Sequence, residues 1–205
     1  MKRGHRGFTL LELMVSLAIV GTLLAVGIPA MGDFIRNSRI TGAANDVMGA
    51  LHYARSEAVK RRLPVTFCTS ANAVEDNEAN PDATCAASAF LTGWMVFVDT
   101  NDSGQRDAGE LILSQRGPIN ELIKARSEVN PLRVTYLLNG FAKNTNGARL
   151  VFCDDRGNEA AAGELSAARA IFVSVTGRAG VSRDPAEIQT LLDEIGQPVG
   201  GCAAS

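Results

Sequence analysis

From Phe8 to Ile28 the chain is apolar almost without a break, the polar side chains being only Thr9, Glu12, Ser16 and Thr22. About 21 residues at 1.5 Å each span roughly 30 Å as a helix, which is the thickness of a bilayer's hydrocarbon core. A helix that is apolar on every side needs an apolar surrounding, so the run predicts a single membrane span over residues 8–28. Lys2, Arg3 and Arg6 precede it. Cationic flanks stay on the cytoplasmic side, which places the N-terminus there and the rest of the chain across the membrane.

The run is too long for the apolar region of an ordinary secretory signal, and no A-x-A pattern follows it. Any cut must therefore fall in front of it. Gly7 closes the basic leader immediately before Phe8, so a protease at the cytoplasmic face can remove residues 1–7 and leave the helix whole. Glu12 is the other anomaly. A carboxylate inside a membrane helix costs a few kcal/mol and calls for a partner, the natural one being an ammonium group. Cleavage after Gly7 creates such a group at Phe8.

With 205 residues the chain has material for one domain with its own core beyond the helix. Its formal charge of −2 falls to about −5 once the three cations of the leader are gone, which argues against a broad, charge-driven nucleic-acid binder. Cys68, Cys85, Cys153 and Cys202 all lie beyond the apolar run, and none forms a C-x-x-C pair. Four spread cysteines in an exported domain predict two disulfides, for which three connectivities exist. Sequence neighbourhood favours Cys68 with Cys85 and Cys153 with Cys202.

Beyond the span, Pro29 removes a helix hydrogen bond and predicts a bend. Ile40, Ala44, Val47, Leu51, Ala54 and Ala58 then recur at three- and four-residue spacing, which predicts an amphipathic continuation over residues 29–62. His52 and Tyr53 lie beside this stripe. Pro64 breaks the helical pattern, and residues 63–205 read as a β-rich domain. Strands are predicted at Val65–Thr69, Trp94–Val98, Leu111–Ser114, Arg133–Leu138, Leu150–Cys153 and Ala170–Thr176. The loop Ser70–Ser88 is expected to be ordered only through a Cys68–Cys85 bridge. Asp184-Pro185-Ala186-Glu187 reads as a capped start of a short helix, with Ile188, Leu191, Leu192 and Ile195 as its buried face and Gly196 as its stop. The expected class is α+β, a long N-terminal helix laid on antiparallel sheet.

Gly7-Phe8-Thr9-Leu10-Leu11-Glu12-Leu13 closely resembles the class III signal of type IV prepilins and pseudopilins. The resemblance implies that a prepilin peptidase cuts after Gly7 and methylates the amine of Phe8. It implies too that Glu12 of an incoming subunit pairs with its neighbour's N-terminal amine in the filament. Later segments narrow the likeness to the GspH/FimT group of minor pilins and minor pseudopilins. These are Leu51-His52-Tyr53-Ala54-Arg55-Ser56-Glu57-Ala58 leading into Val65-Thr66-Phe67-Cys68, Gly93-Trp94-Met95-Val96-Phe97-Val98-Asp99, Phe152-Cys153-Asp154-Asp155-Arg156-Gly157, and the stretch from Ala168 to Arg178. The resemblance implies an inner-membrane protein with its domain in the periplasm and other minor pilins or pseudopilins as partners. The pilus reading is preferred, with the minor pseudopilin of a type II secretion system as the alternative. Members that bind DNA carry a Gly-Arg-x-Arg element. Here Gly177 and Arg178 match while Gly180 replaces the second arginine, leaving Arg169, Arg178 and Arg183 as candidate DNA contacts.

Asp99, Asn101, Ser103, Gly104 and Glu110 have the spacing of a calcium loop, but strands rather than helices are predicted on either side, and Arg106 stands where an apolar residue packs. The same residues make a hydrogen-bonded turn, which is the preferred reading, so no cofactor is expected. There is no G-x-S-x-G, H-E-x-x-H or phosphate-loop pattern, and the two histidines are His5 and His52. A membrane-anchored enzyme or binding protein is the competing class and lacks candidate residues.

Overall fold

The computed structural model describes residues 9–86, 93–119, 122–129, 131–143, 148–158 and 165–190, apart from the side chains at positions 26 and 28–30. The chain forms two compact units that divide after Ser38. A 52-residue helix, α1 (Leu10–Arg61), contributes to both.

In the first unit Thr9 caps α1. Its Oγ1 accepts the Glu12 backbone N–H at 3.2 Å and its carbonyl accepts that of Leu13 at 3.1 Å. The hydroxyls of Ser16 and Thr22 donate back to the carbonyls of Glu12 and Ile19 at 2.7 and 2.8 Å. These two polar residues are thereby satisfied inside the helix and need nothing from their surroundings. The described large apolar side chains between Leu10 and Ile35 are exposed. The helix continues through Pro29 instead of ending there. Among the described residues no helix is long and apolar enough to cross a membrane; the apolar run read from the sequence extends to positions 8, 26 and 28, outside that description.

In the second unit the predicted stripe is buried in full, joined by Ala43 and Ala50. Alanine dominates this face because it favours the helix and lets the helix axis lie close to a sheet. Lys60 and Arg61 occupy the last turn, where the helix dipole favours cations. Arg62 leaves the helix in a left-handed conformation (φ +56°), and Pro64 bars continuation.

Eleven described strands follow: β1 (Val65–Thr69), β2 (Val74–Glu75), β3 (Glu78–Ala79), β4 (Trp94–Val98), β5 (Ile112–Arg116), β6 (Lys124–Ser127), β7 (Arg133–Tyr136), β8 (Ala142–Lys143), β9 (Arg149–Cys153), β10 (Arg169–Val173) and β11 (Ala179–Ser182). They pair antiparallel as a five-stranded sheet in the order β5-β4-β1-β7-β8, a four-stranded sheet in the order β11-β10-β9-β6, and the β2–β3 hairpin.

Alternation along the strands sets what each face covers. Val65, Phe67, Trp94, Val96, Val134 and Tyr136 of the five-stranded sheet and Leu150, Phe152, Ile171 and Val173 of the four-stranded sheet share one core with α1. The opposite face of β1 and β4, with Cys68, Met95 and Phe97, packs on Ala83 and Cys85. Burial on both faces explains why β4 reads as an unbroken apolar run; β1 is buried on both faces as well, with its Thr66 hydroxyl donated to Asp99. Val151, Cys153, Ala168 and Ala170 meet Ile188 on the outer face of the other sheet.

Several expectations need correction. Leu138 and the Ser174–Thr176 end of the last predicted strand lie in turns, with Gly140 N–H bound to the Leu137 carbonyl and Gly177 N–H to that of Ser174 at 2.8 Å each. The segment from Ser70 does not rely on a bridge alone. Asp76 and Asn77 adopt left-handed φ of +50° and +66°, as a two-residue hairpin turn requires, and so pair β2 with β3. Asn72 and Asn80 then fix its base through the Thr84 N–H and the Asn72 carbonyl at 3.0 and 2.9 Å. The terminal helix α2 (Pro185–Gln189) has Asp184 as its cap, accepting the Ala186 N–H at 2.9 Å. Glu187 does not close a reciprocal box; its carboxylate accepts the Ser182 hydroxyl at 2.6 Å. Leu191, Leu192, Ile195 and Gly196 lie outside the described residues.

Candidate functional site

Glu12 sits in the first turn of α1, exposed, where a carboxylate faces the positive end of the helix. Thr9-x-x-Glu12 has the pattern of a capping box, a signal present in the sequence but not used in reading it. Only half of that box forms. Thr9 Oγ1 takes the Glu12 N–H, while the Glu12 carboxylate makes no hydrogen bond or ion pair among the described residues. Among the described residues it is thus uncommitted. Gly7 and Phe8, the expected processing residues, lie outside the described residues.

Cys68 and Cys85 form a disulfide with their Cα atoms 5.7 Å apart, closing the segment that holds the β2–β3 hairpin. Cys153 is disulfide-bonded as well, and Cys202, its expected partner, lies outside the described residues.

The calcium-like loop is tied together by its own backbone. Buried Asp99 accepts the N–H groups of Ser103 and Gly104 at 2.9 and 2.8 Å and the Thr66 hydroxyl at 2.8 Å. Glu110 accepts Thr100 N–H at 2.7 Å, the Thr100 hydroxyl at 2.8 Å and Asp107 N–H at 3.0 Å. Asn101 Oδ1 also accepts the Ser103 N–H, at 3.2 Å. Arg106 bridges the Glu110 and Ala83 carbonyls, docking the loop on the disulfide-bonded segment. These acceptors do the work of a turn, and among the described residues no group of carboxylate, histidine or cysteine side chains is arranged to hold a metal ion.

The three candidate DNA-contact arginines do not converge. Arg169 is buried and donates from Nη1 to the carbonyls of Ser166, Ala167 and Ala168 at 3.1, 2.7 and 3.0 Å. Burial, then the charges of Arg183 and Arg156, pull its pKa below the usual arginine value. Arg183 donates to the same Ser166 carbonyl at 3.2–3.3 Å. Arg178 is exposed at the β10–β11 turn, the other end of that hairpin, roughly 15 Å away at about 3.4 Å per residue.

Sequence reading missed Arg55. From α1 its Nε donates to the Gly140 carbonyl at 3.0 Å and its Nη2 to the Thr176 carbonyl at 3.1 Å, clasping the β7–β8 and β10–β11 turns to the helix. The acceptors are 85 and 121 residues away, so no local pattern announces the clasp. Glu57, on the same helix, is held below the ordinary carboxylate pKa by hydrogen bonds from Arg61 at 2.5 Å and Lys60 at 3.2 Å. Tyr136 has its hydroxyl buried without a partner among the described residues, and burial pushes its pKa up to about 12.

Two family descriptions fit the sequence. Residues 43–177 match the Type II transport protein GspH family, and residues 2–28 match the prokaryotic N-terminal methylation motif. The chain is 29% identical over 124 residues to the Type IV major alpha-pilin of Moraxella bovis, covering 54% of this chain and 78% of that one. It is 42% identical over 45 residues to Fimbrial protein EcpC of Eikenella corrodens, covering 22% of this chain and 29% of that one, so it spans under a third of that relative. Among solved structures it resembles the type IV minor pilin FimU of Pseudomonas aeruginosa, at 17% identity and a TM-score of 0.48, over 75% of this chain and 94% of that one.

Proposed function

The chain belongs to the GspH family of pilin-type proteins, and from that membership we propose that it is a FimT-like minor pilin that joins a type IV pilus and supports its assembly. As a filament subunit it has a structural role and no reaction to catalyse. In this reading a prepilin peptidase removes residues 1–7, the amine of Phe8 is methylated, residues 8–28 anchor the subunit in the inner membrane, and the domain faces the periplasm. The methylation-motif match over residues 2–28 supports the processing step.

The observation that carries the assembly role is the exposed apolar first half of α1 with a carboxylate in its first turn that has no partner among the described residues. Apolar side chains of that size gain by burial against lipid or neighbouring helices, at about 1.5–3 kcal/mol for each fully buried Leu, Ile or Val. Glu12 gains only when a cation joins it there, and the amine of a neighbour's Phe8 is such a cation. Glu12→Leu is expected to leave cleavage at Gly7 intact and to abolish recovery of the chain with sheared filaments. Normal incorporation of that variant would remove Glu12 from the mechanism.

The family's description as a type II transport protein favours a second reading, a minor pseudopilin of a secretion system. The relatives named as pilins and fimbrial proteins favour the pilus. Affinity purification of the chain with its filament separates them: minor pilins as companions support the first reading and secretion pseudopilins the second. DNA contact is left out of the proposal, because Arg169 and Arg183 are occupied by carbonyls and Arg178 alone makes a weak phosphate site.

A further inference from the structure

Asparagine is followed by glycine twice in the chain, at Asn139-Gly140 and Asn146-Gly147. In such a pair the glycine nitrogen can attack the asparagine side-chain amide carbon, because the following residue has no β-carbon to obstruct the approach. The N–Cγ bond forms, the amide nitrogen departs as ammonia with the proton of the glycine N–H, and a cyclic succinimide is left. Water then opens the ring at either carbonyl, giving aspartate or isoaspartate. Water is the sole co-reactant, so the fold alone decides whether the step proceeds.

Asn139-Gly140 lies on the β7–β8 turn, with Asn139 exposed and Gly140 buried. The Leu137 N–H donates to the Phe141 carbonyl and the Gly140 N–H to the Leu137 carbonyl, both at 2.8 Å, while Gly140 takes a left-handed φ of +78°. These are the bonds of a three-residue hairpin loop, and they commit the attacking nitrogen as a donor inside the turn. Asn139 Oδ1 accepts the Phe141 N–H at 3.1 Å, which fixes the side chain. Attack also requires the Asn139–Gly140 peptide to rotate, and Gly140 is not free to follow. Its carbonyl accepts Arg55 Nε at 3.0 Å, and the same guanidinium holds the Thr176 carbonyl at 3.1 Å. Gly177 is pressed so close that a Cβ on it would fall 2.0 Å from the Gly140 carbonyl oxygen. The Ala142 N–H, donating to the Val175 carbonyl at 2.9 Å, ties the two turns on the other side.

We propose that Asn139 is a deamidation site kept latent by this clasp: its amide is retained while Arg55 holds Gly140 and is lost from the opened turn. Isoaspartate adds a methylene to the main chain between Leu138 and Gly140. With Gly177 packed against the Gly140 carbonyl, the turn has no slack to absorb it. A turn that converts therefore cannot be clasped again, and a transient opening becomes a permanent release of the β7–β8 turn from α1.

The test follows the full-length chain in detergent at mildly alkaline pH, with and without urea, by peptide mass spectrometry and chromatographic separation of isoaspartate. In urea, Asn139 and Asn146 are expected to convert at similar rates. In the folded chain Asn139 should convert at least about tenfold more slowly, since only the opened turn reacts. Arg55→Ala should speed conversion of the folded chain about tenfold, the population gained when a hydrogen bond from a charged group is lost. Hydrogen exchange at the β1 amides checks that the variant is folded. Chain carrying isoaspartate at position 139 should exchange the Gly140 and Ala142 amides faster than unconverted chain. Equal Asn139 rates in folded and urea-unfolded wild-type chain would overturn the proposal, and this comparison holds even if the variant does not fold. So would an unchanged rate in folded Arg55→Ala, or unchanged exchange at Gly140 and Ala142 in the converted chain.

Discussion

The two halves of α1 show opposite solutions to the same problem. Leu17, in the first half, is 63% exposed, whereas Leu51, in the second, is 2% exposed. The first half carries large apolar side chains all round; the second carries an alanine-rich stripe fitted to two sheets, with polar residues elsewhere. The second half is thus completed by its own domain, while the first awaits lipid or other helices. In the proposed role, this contrast lets one helix both fold a domain and hand a subunit to a filament.

The contrast breaks first at its most buried point. Leu51→Ala is expected to destabilise the domain by about 2–5 kcal/mol, because the cavity lies between a helix and sheets that close only partly over it. Leu17→Ala should leave the domain's denaturation midpoint unchanged; an equal loss in both variants, measured by chemical unfolding, would erase the distinction. Next comes Cys68→Ser with Cys85→Ser. Opening a loop with a sequence separation of 17 should cost about 3 kcal/mol by the chain-entropy account and loosen the β2–β3 hairpin. Hydrogen exchange at residues 71–82 should rise with it, while exchange in the first half of α1 stays as it was.

The smallest effect concerns Tyr136, which packs against the second half. Its pKa is raised by burial to about 12 from 10, so the folded state keeps the phenol proton that the unfolded state loses. Stability is therefore fully present below pH 10 and declines as pH rises from 10 towards 12. Tyr136→Phe should flatten that decline in pH-dependent unfolding. At pH 7 it should shift stability by under about 1 kcal/mol, since the hydroxyl it removes has no partner to lose among the described residues. A large loss at neutral pH would show that the hydroxyl is engaged after all.

How much of this was legible in the sequence follows the range of the interactions. The stripe from Ile40 to Ala58 is a local periodicity, and β4 is apolar on both faces, so each announces itself. Asp184 announces its cap for the same reason. β6, β8 and β11 are polar or small-residue strands whose pairing is imposed by their neighbours, and their composition gives no sign of it. The Asp99–Glu110 spacing serves a turn as well as a cation, and only the amide donors around the carboxylates favour the turn. Arg169 has the composition of a DNA contact, yet carbonyls three residues or fewer away occupy it. The Glu12 signal was readable because an acid in an apolar run needs no tertiary context to be anomalous.

The central claim is that the first half of α1 is a processed assembly element, and intact-mass and N-terminal peptide mass spectrometry of the chain taken from purified filaments tests it most directly. The account predicts a mature chain that begins at Phe8 with one methyl group on its amine. A chain in that fraction still beginning at Met1, or beginning elsewhere with a free amine, would contradict it.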